Sequence, residues 1–362
     1  MRKLAGTIVI PLDTSAVSEA VLRPAAALAE ALHYELLLLH VIAPATSLIA
    51  ISHPALLSPG MAERWEADEL TNDRQYLATV AQRMEPLGLS VRTTVRIATD
   101  TATAILACAR NDAILPTSAA EAPPTIVAMT THGQTGIRHW VLGSVAEQVI
   151  HHATLPVLLL RAHASSPSAT TPATIRRVLV PLDGSTFAAH ALPLAHTIAS
   201  ATGATLILLT VASPTDDIGL ADGGIEPLWM LAEEDAATQH AHDSVEAAAQ
   251  NLRAHGINVD TRWTAGDPAT EIVDASTAEH ADVIVMATHG RSGVQRLMLG
   301  SVAQEVLHLA EQPLLLVRPP LRSHHVMDQT ADHANGEPID DGRTTRKEQR
   351  DEHPRSCITA RT

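Results

Sequence analysis

The sequence predicts an α/β fold of two tandem domains, each with a five-stranded parallel sheet covered by helices on both faces. Three observations predict it. At roughly 150 residues per domain, the 362 residues make two domains with some chain left over. The chain repeats itself, and within each repeat short apolar runs alternate with longer amphipathic segments. Such alternation is typical of parallel strands that are buried on both faces and connected by helices.

Two motifs occur twice. Residues 8–15, IVIPLDTS, return 170 positions later (183 − 13) as VLVPLDGS. The pair THGQTG (131–136) and LGSVA (142–146) returns 157 positions later (290 − 133) as THGRSG and LGSVA. The first repeat is therefore longer in its middle by 13 residues (170 − 157). Most of the extra chain lies in the Pro- and Ala-rich segment 111–124, which we expect to be a surface loop.

The second repeat shows the elements most clearly. Its apolar and β-branched runs predict five strands, in order at 178–181, 205–211, 258–264, 282–286 and 314–318. Segments with helical periodicity predict helices at 229–255 and 269–279, and the first repeat has a long helix at 63–87. The apolar faces of the two long helices are more typical of core packing than of a groove for a partner.

These patterns divide the chain into four parts. The first domain is expected at 1–163 and the second at 175–320, joined by a linker at 164–174 that is rich in Ser, Thr and Pro. Residues 321–362 are polar with few apolar side chains, so we expect a disordered tail and not a third domain.

Composition excludes several classes of function. Aromatic residues are 2% of the chain, so the cores must be aliphatic, and stacking platforms for single-stranded nucleic acid are not expected. A formal net charge of -15 disfavours binding to nucleic acid or to an anionic membrane. Lys3 and Lys347 are the lysines among 25 basic residues, which excludes a Walker lysine or a Schiff base inside the fold.

A cytoplasmic protein is expected. Cys108 and Cys357 form no CxxC pair, which favours a reducing compartment over a disulfide. The first 13 residues do not have the pattern of a signal peptide, and no apolar run approaches the roughly 20 residues that span a bilayer.

A ligand site is expected beyond the carboxyl ends of the strands, where open parallel sheets bind their ligands. Asp13 and Asp183 follow the first strand of each repeat, and neither GxGxxG nor GxxxxGK[ST] is present. After the fourth strand, nine residues separate Gly133 from Gly143 and Gly290 from Gly300. In both repeats a serine follows the second glycine, at Ser144 and Ser301. Glycine backbone and a helix N-terminus suit phosphate.

A purely structural interpretation of the serines stays open. Residues 144–147, SVAE, and 301–304, SVAQ, have the pattern of capping boxes, in which each serine caps its own helix. Recurrence of the whole glycine spacing in both repeats favours the phosphate interpretation.

With these motifs the chain resembles a tandem universal stress protein. The resemblance rests on a G-x-x-G-x9-G-[ST] pattern with its flanking Thr-His-Gly and Gly-Ser-Val-Ala, and on the Pro-Leu-Asp-x-Ser opening. It implies Rossmann-like domains of the adenine nucleotide alpha hydrolase-like type with the strand order 3-2-1-4-5. It also implies binding of ATP, or of AMP or ADP, with Mg²⁺ accompanying a triphosphate.

The resemblance also implies roles for residues. Asp13 and Asp183 would meet the adenine or ribose, and Val41 and Val211 would present backbone groups to adenine. The glycines and serines of the fourth-strand motif would hold phosphate. The candidate nucleotide-binding residues are, in the first repeat, Pro11, Leu12, Asp13, Ser15, Val41, Met129, His132, Gly133, Gly143, Ser144 and Val145. In the second repeat they are Pro181, Leu182, Asp183, Ser185, Val211, Met286, His289, Gly290, Arg291, Gly300, Ser301 and Val302.

The first glycine of the family pattern is replaced by Thr130 in the first repeat and by Ala287 in the second. The β-branched side chain of threonine hinders the approach of a ligand to the backbone more than the methyl group of alanine does. The first repeat also has Thr99-Asp100-Thr101 where the second has Gly266-Asp267-Pro268. Stronger binding is therefore expected in the second repeat.

Other chemistry is less well supported. The 20 histidines include the pairs His151-His152 and His324-His325, but no zinc spacing, so no metal site is predicted. His132 and His289 either contact phosphate or shape the turn, and Arg291 either adds positive charge or is solvated. Because no nucleophile or water-positioning residue accompanies the aspartates, no catalytic residue is predicted, and any ATP hydrolysis or autophosphorylation is expected to be slow.

The leading hypothesis is a cytoplasmic stress-response protein in which adenine nucleotide has a regulatory role. The alternatives are a nucleotide-free dimerising scaffold and a slow ATPase. The last strands, 157–160 and 314–317, are expected to pair two domains, either within one chain as a pseudo-dimer or between chains as a homo-oligomer. A protein partner of unknown identity is also expected.

Overall fold

Ten strands form the framework of the computed structural model, which describes residues 5–44, 59–112, 125–131, 142–161, 174–212, 228–288 and 299–318. The chain divides into a unit of residues 1–321 and a unit of residues 322–362, and every described residue belongs to the first. The predicted tail and most of the predicted linker and of the predicted loop at 111–124 lie outside the described residues.

The strands follow the predicted apolar runs. In the first repeat they are β1 Gly6–Pro11, β2 Tyr34–Ile42, β3 Val91–Ile97, β4 Ile126–Thr130 and β5 Val157–Leu160. In the second they are β6 Arg177–Pro181, β7 Thr205–Ala212, β8 Val259–Ala265, β9 Val283–Ala287 and β10 Leu314–Val317. The five predicted strands of the second repeat agree with the structure to within one residue at each end.

The helices lie between the strands. They are α1 Ala16–Glu19, α2 Leu22–Leu32, α3 Pro59–Met84, α4 Thr101–Asp112 and α5 Ser144–His152 in the first repeat. The second repeat has α6 Leu192–Thr202, α7 Leu228–Ala254, α8 Pro268–Ala278 and α9 Ser301–Leu309. Short 3-10 turns occur at Glu85–Leu87 and Ala188–Ala191. The helix predicted at 63–87 begins four residues earlier and ends in the first of these turns.

All ten strands belong to one sheet, in the order β3-β2-β1-β4-β5-β10-β9-β6-β7-β8. Neighbours within each repeat are parallel, whereas β5 and β10 are antiparallel, with Leu158 opposite Leu315. The two predicted five-stranded sheets are therefore the halves of a single sheet. Since each repeat would otherwise expose the edge of a short apolar strand, their pairing satisfies the backbone groups of both edges.

The core is aliphatic, as the composition predicts. One face of the sheet buries Ile8, Leu36 and Leu38 with leucines and valines of α2, α3, α6 and α7. The other face buries Val9 and Leu37 with apolar residues of α4, α5, α8 and α9. Alternate residues of a strand therefore pack on opposite faces of the sheet, and the core on each face includes residues of both repeats. In the described part of the chain, no helix is long and apolar enough to cross a bilayer.

Candidate nucleotide site

A cavity of about 410 Å³ opens at the carboxyl ends of β1, β2 and β4 in the first repeat. Parallel strands end at the same edge of a sheet, so segments far apart in sequence meet there. The cavity is lined by Pro11, Leu12, Asp13, Ser18, His40, Val41, Thr101, Ile105, Met129, Thr130, Thr131, Gly143, Ser144, Val145 and Ala146. Its wall therefore combines apolar side chains, a carboxylate and the first turn of a helix.

The turn after β1 holds Asp13 in place. Its Oδ1 accepts hydrogen bonds from the backbone N of Ser15 at 3.1 Å and from the Ser15 hydroxyl at 2.5 Å. The Ser15 oxygen in turn accepts from the N of Ser18 and caps α1. Thr14, between them, has a φ of 67°. These contacts fix the direction of a carboxylate that lines the cavity, and a carboxylate can accept several hydrogen bonds at once.

The second repeat has the same turn. Oδ1 of Asp183 accepts from the N of Ser185 at 2.9 Å, and the Ser185 hydroxyl oxygen accepts from the N of Ala188 at 3.1 Å. Gly184 takes the position of Thr14, with a φ of 80°. A residue at this position must adopt left-handed backbone, which glycine does without steric cost.

In each repeat, one hydrogen bond joins the end of the fourth strand to the glycine before the next helix. The N of Gly143 donates to the O of Thr131 at 2.8 Å, and the N of Gly300 donates to the O of Thr288 at 2.8 Å. These bonds hold the start of the helix after each motif beside the end of the preceding strand. The candidate residues His132, Gly133, His289, Gly290 and Arg291 fall between these ends and outside the described residues.

The capping interpretation of the serines is wrong. The N-cap residues are Gly143 and Gly300, with extended backbone, and among the described residues no side chain caps either helix. Ser144 and Ser301 are the first residues inside α5 and α9. The first intrahelical bond runs from the N of Glu147 to the O of Gly143 at 2.9 Å. The preceding N–H groups of the turn point out of the helix end, as in every α-helix, where they suit an anion.

The model of the universal stress protein family matches residues 5–161 and 174–318. The chain belongs to the universal stress protein family.

The relatives of this universal stress protein support the tandem arrangement. A universal stress protein of Mycolicibacterium smegmatis is 29% identical over 318 residues, which cover 86% of this chain and 97% of that protein. One of Methanocaldococcus jannaschii is 34% identical over 146 residues, which cover 40% and 83%. The crystal structure of a universal stress protein from Archaeoglobus fulgidus covers 86% of this chain and 98% of its own, with a TM-score of 0.57 at 21% identity. It has the same fold.

The structure brings together most of the residues predicted for the first universal stress protein domain. Every described candidate of this repeat except Ser15 lines the cavity. Ser15 instead holds Asp13 through the hydrogen bond to its Oδ1. The described candidates of this repeat therefore line one cavity, except for this serine, which supports the aspartate.

Several lining residues of this universal stress protein were missed by the sequence analysis. Ser18, His40, Ile105, Thr131 and Ala146 lie outside the candidate set, and Thr101 and Thr130 were considered only as departures from the second repeat or from the family pattern. His40 directly precedes the predicted Val41, and its Nδ1 lies 2.6 Å from the O of Leu12. A polar residue near the end of an apolar strand is the one signal that could have identified it.

His40, a lining residue, contacts a carboxylate of α3. Nε2 of His40 lies 3.6 Å from Oδ2 of Asp73, a buried carboxylate on α3. Nearby, Glu19 accepts hydrogen bonds from Tyr76 at 2.9 Å and from Arg83 at 2.6 Å. Burial, followed by the negative charge of Glu19, raises the pKa of Tyr76 above its ordinary value. Tyr76 is therefore a hydrogen-bond donor in the neutral form and not a base.

The second domain places its candidates at equivalent positions. Pro181, Leu182 and Asp183 follow the pattern of their counterparts at the end of the first strand, and Val211 and Met286 lie near the ends of β7 and β9. Strand register pairs Pro11 with Leu39 and Pro181 with Leu209, so Thr210 corresponds to His40. The two repeats therefore share this turn and this helix start but differ at the position of His40 and Thr210.

Proposed function

We propose that this universal stress protein binds ATP or another adenine nucleotide at the carboxyl ends of its strands, in a regulatory role. The observation that carries the proposal is the cavity of about 410 Å³ whose wall includes both Asp13 and the first turn of α5. Its volume falls in the range of about 300–1,000 Å³ that is usual for small-molecule sites.

The lining suits the three parts of a nucleotide. Leu12, Ile105 and Met129 offer apolar surface for a base, beside the backbone of Val41. The carboxylate of Asp13, an acceptor of several hydrogen bonds, suits the ribose hydroxyls. The N–H groups at the start of α5 and the helix dipole favour phosphate.

Mg²⁺ accompanies a triphosphate in this proposal. The ion keeps several waters and binds through phosphate oxygens, so it needs few protein ligands. In the described part of the chain, no group of three or more His, Cys, Asp or Glu could hold a metal by itself.

The hydrogen bonds of Asp13 favour a regulatory role over catalysis. Its Oδ1 already accepts two hydrogen bonds from Ser15, which makes it part of the turn and a poor general base. The preference for the second repeat remains part of the proposal. Thr130 lines the first cavity, whereas the corresponding Ala287 has no atoms beyond Cβ to narrow the second site.

The first test asks whether the purified protein carries a nucleotide. The protein is denatured, released small molecules are identified by mass spectrometry, and the emptied protein is titrated with ATP, ADP, AMP and cyclic AMP by calorimetry. We expect an adenine nucleotide to be released or bound. Absence of both would leave the nucleotide-free scaffold, and steady ATP turnover would favour the slow ATPase.

Variants then assign the sites. Asp13→Ala and Asp183→Ala each remove a charged acceptor, which we expect to weaken one site by roughly 10- to 100-fold, since such hydrogen bonds contribute about 1.5–3 kcal/mol. Gly300→Val tests whether the nucleotide must come close to the backbone at the second site. Asp274→Ala, an exposed substitution on α8, is the control and should leave affinity unchanged. The larger loss is expected from Asp183→Ala.

A further inference from the structure

Two arginines occupy equivalent places after the last strand of each repeat. Arg161 follows β5 and Arg318 follows β10, 157 positions apart (318 − 161). The same spacing separates Ser144 from Ser301, so the arginines belong to the repeated pattern.

Each arginine bonds to the other repeat. Nη1 of Arg161 donates to the O of His308, in the last turn of α9, at 2.6 Å. Nη1 of Arg318 donates to the O of His151, in the last turn of α5, at 2.9 Å and to the O of Ala153 at 3.0 Å. The side chains therefore cross the junction between the repeats in opposite directions.

The antiparallel pairing of β5 and β10 explains the crossing. Leu159 lies opposite Leu314 and Val157 opposite Leu316, so the end of each strand lies beside the start of the other. The start of β10 follows the end of α9, and the start of β5 follows the end of α5. An arginine just beyond one strand thus meets the C-terminus of the helix that precedes the other.

The contacts suit a guanidinium. The last carbonyls of a helix have no intrahelical partner and carry the negative end of the dipole, so they favour a cation. Arg318 is partly buried, and that burial lowers its pKa from the ordinary value. Its two carbonyl acceptors offset the loss of water.

A backbone relay connects each arginine to the candidate site of its own repeat. The N of Thr131 donates to the O of Leu160 at 3.0 Å, and the N of Gly143 donates to the O of Thr131. In the second repeat the N of Thr288 donates to the O of Val317 at 3.0 Å, and the N of Gly300 to the O of Thr288. The residue after Leu160 or Val317 is the crossing arginine.

We propose that Arg161 and Arg318 are positioning residues that couple the two candidate sites. Each arginine holds the C-terminus of the helix whose N-terminus faces the site of the other repeat. When a ligand orders one site, the relay and the arginine stabilise the helix that faces the other site. Binding at the two sites is therefore positively cooperative. The coupling rests on the proposed nucleotide function, whereas the holding of the helices does not.

The first experiment uses the full-length protein without ligand. Hydrogen exchange of α5 and α9 is measured by mass spectrometry in Arg161→Gln and Arg318→Gln. We expect at least three-fold faster exchange, in α9 for Arg161→Gln and in α5 for Arg318→Gln, with the other helix little changed. The matched control is Arg92→Gln on the outer strand β3, which breaks the ion pair of Arg92 with Glu35 of β2. Exchange that changes only in the arginine's own repeat overturns the proposal.

The second experiment measures ATP affinity at one site at a time. In the Asp183→Ala background, which leaves the first site, we expect Arg318→Gln to weaken binding about five-fold and Arg161→Gln less than two-fold. The Asp13→Ala background should show the reverse. Because the acceptors across the junction are carbonyl oxygens and not carboxylates, and each arginine reaches them through Nη1 alone, a lysine substitution at either position should restore most of the affinity. If each arginine substitution weakens ATP binding only at the site of its own repeat, the coupling is overturned.

The two proposals fail separately. If the wild-type protein binds no adenine nucleotide, the proposed function fails, and the exchange experiment still decides whether the arginines hold the opposite helices. If it binds at both sites without cooperativity, the coupling is overturned although the function stands.

Discussion

At the scale of single residues, the turn after the first strand is the most constrained part of the candidate site. Asp183 is held by Ser185, and Gly184 between them has left-handed backbone. A Cβ added at Gly184 would lie 2.8 Å from the Cα of Ala241 on α7. The position therefore requires glycine for two reasons, the backbone conformation and the approach of a helix.

We expect Gly184→Ala to lower the free energy of unfolding by roughly 3 kcal/mol, since left-handed strain and overpacking both contribute. Gly203→Ala is the matched control, because Gly203 has a φ of 70° and nothing within 4 Å of an added Cβ. It should cost about 1 kcal/mol through backbone strain alone. Urea denaturation measures both, and equal costs would contradict the packing argument.

At the scale of elements, the starts of the helices differ in how they are capped. α5 and α9 begin at glycine N-caps without a side-chain cap among the described residues, and the first turn of α5 lines the cavity. α8 instead has Asp267 as N-cap, whose Oδ1 accepts from the N of Thr270 at 2.9 Å. A side-chain cap also occurs beside the first cavity, where Ser15 caps α1, so the glycine N-caps are a feature of the two helices that follow the fourth-strand motif.

We expect Asp267→Ala to cost about 1 kcal/mol of stability at neutral pH. Hydrogen bonds from Thr270 lower the pKa of Asp267 below its ordinary value of 3.8. The carboxylate therefore contributes above that ordinary value and loses its contribution as the pH falls through the lowered pKa. The difference between wild type and variant, followed by denaturation from about pH 7 to about pH 2, should shrink on acidification. Asp274→Ala, an exposed substitution in the same helix that removes no N-cap, is the control and should cost little stability at neutral pH.

At the scale of the whole molecule, the sheet leaves β3 and β8 as its outer strands. Both carry charged side chains. Arg92 of β3 pairs with Glu35 at 2.7 Å, and Arg262 of β8 donates to Glu279 at 2.6 Å. Charges on edge strands oppose pairing with another chain, whereas the apolar last strands are paired with each other.

We therefore expect the protein to be a monomer of 38.4 kDa in light scattering after size exclusion, at micromolar concentration. The last strands are already paired within the chain on both sides, so a second copy has no edge of β5 or β10 to join. A stable species of twice that mass at every concentration would contradict this expectation and return the homo-oligomer to consideration.

Much of this fold was predictable because its information is local. Buried parallel strands are continuous apolar runs, so those of the second repeat were located to within a residue. The beginning of α3 at Pro59 was missed because the pattern at 59–62 lacks a clear apolar period. In the site, the repeated motifs identified Asp13 and Gly143, but His40 belongs to no motif.

The sequence by itself determined the two repeats, their elements and the turns that present the aspartates, since each depends on residue types within a few positions. Only the tertiary structure decided that the last strands, β5 and β10, pair within one chain and not between chains, that the halves form one sheet, and that Arg161 and Arg318 cross between the repeats. These depend on the register between strands about 150 residues apart, and short apolar strands of nearly uniform composition do not specify such a register in their sequence.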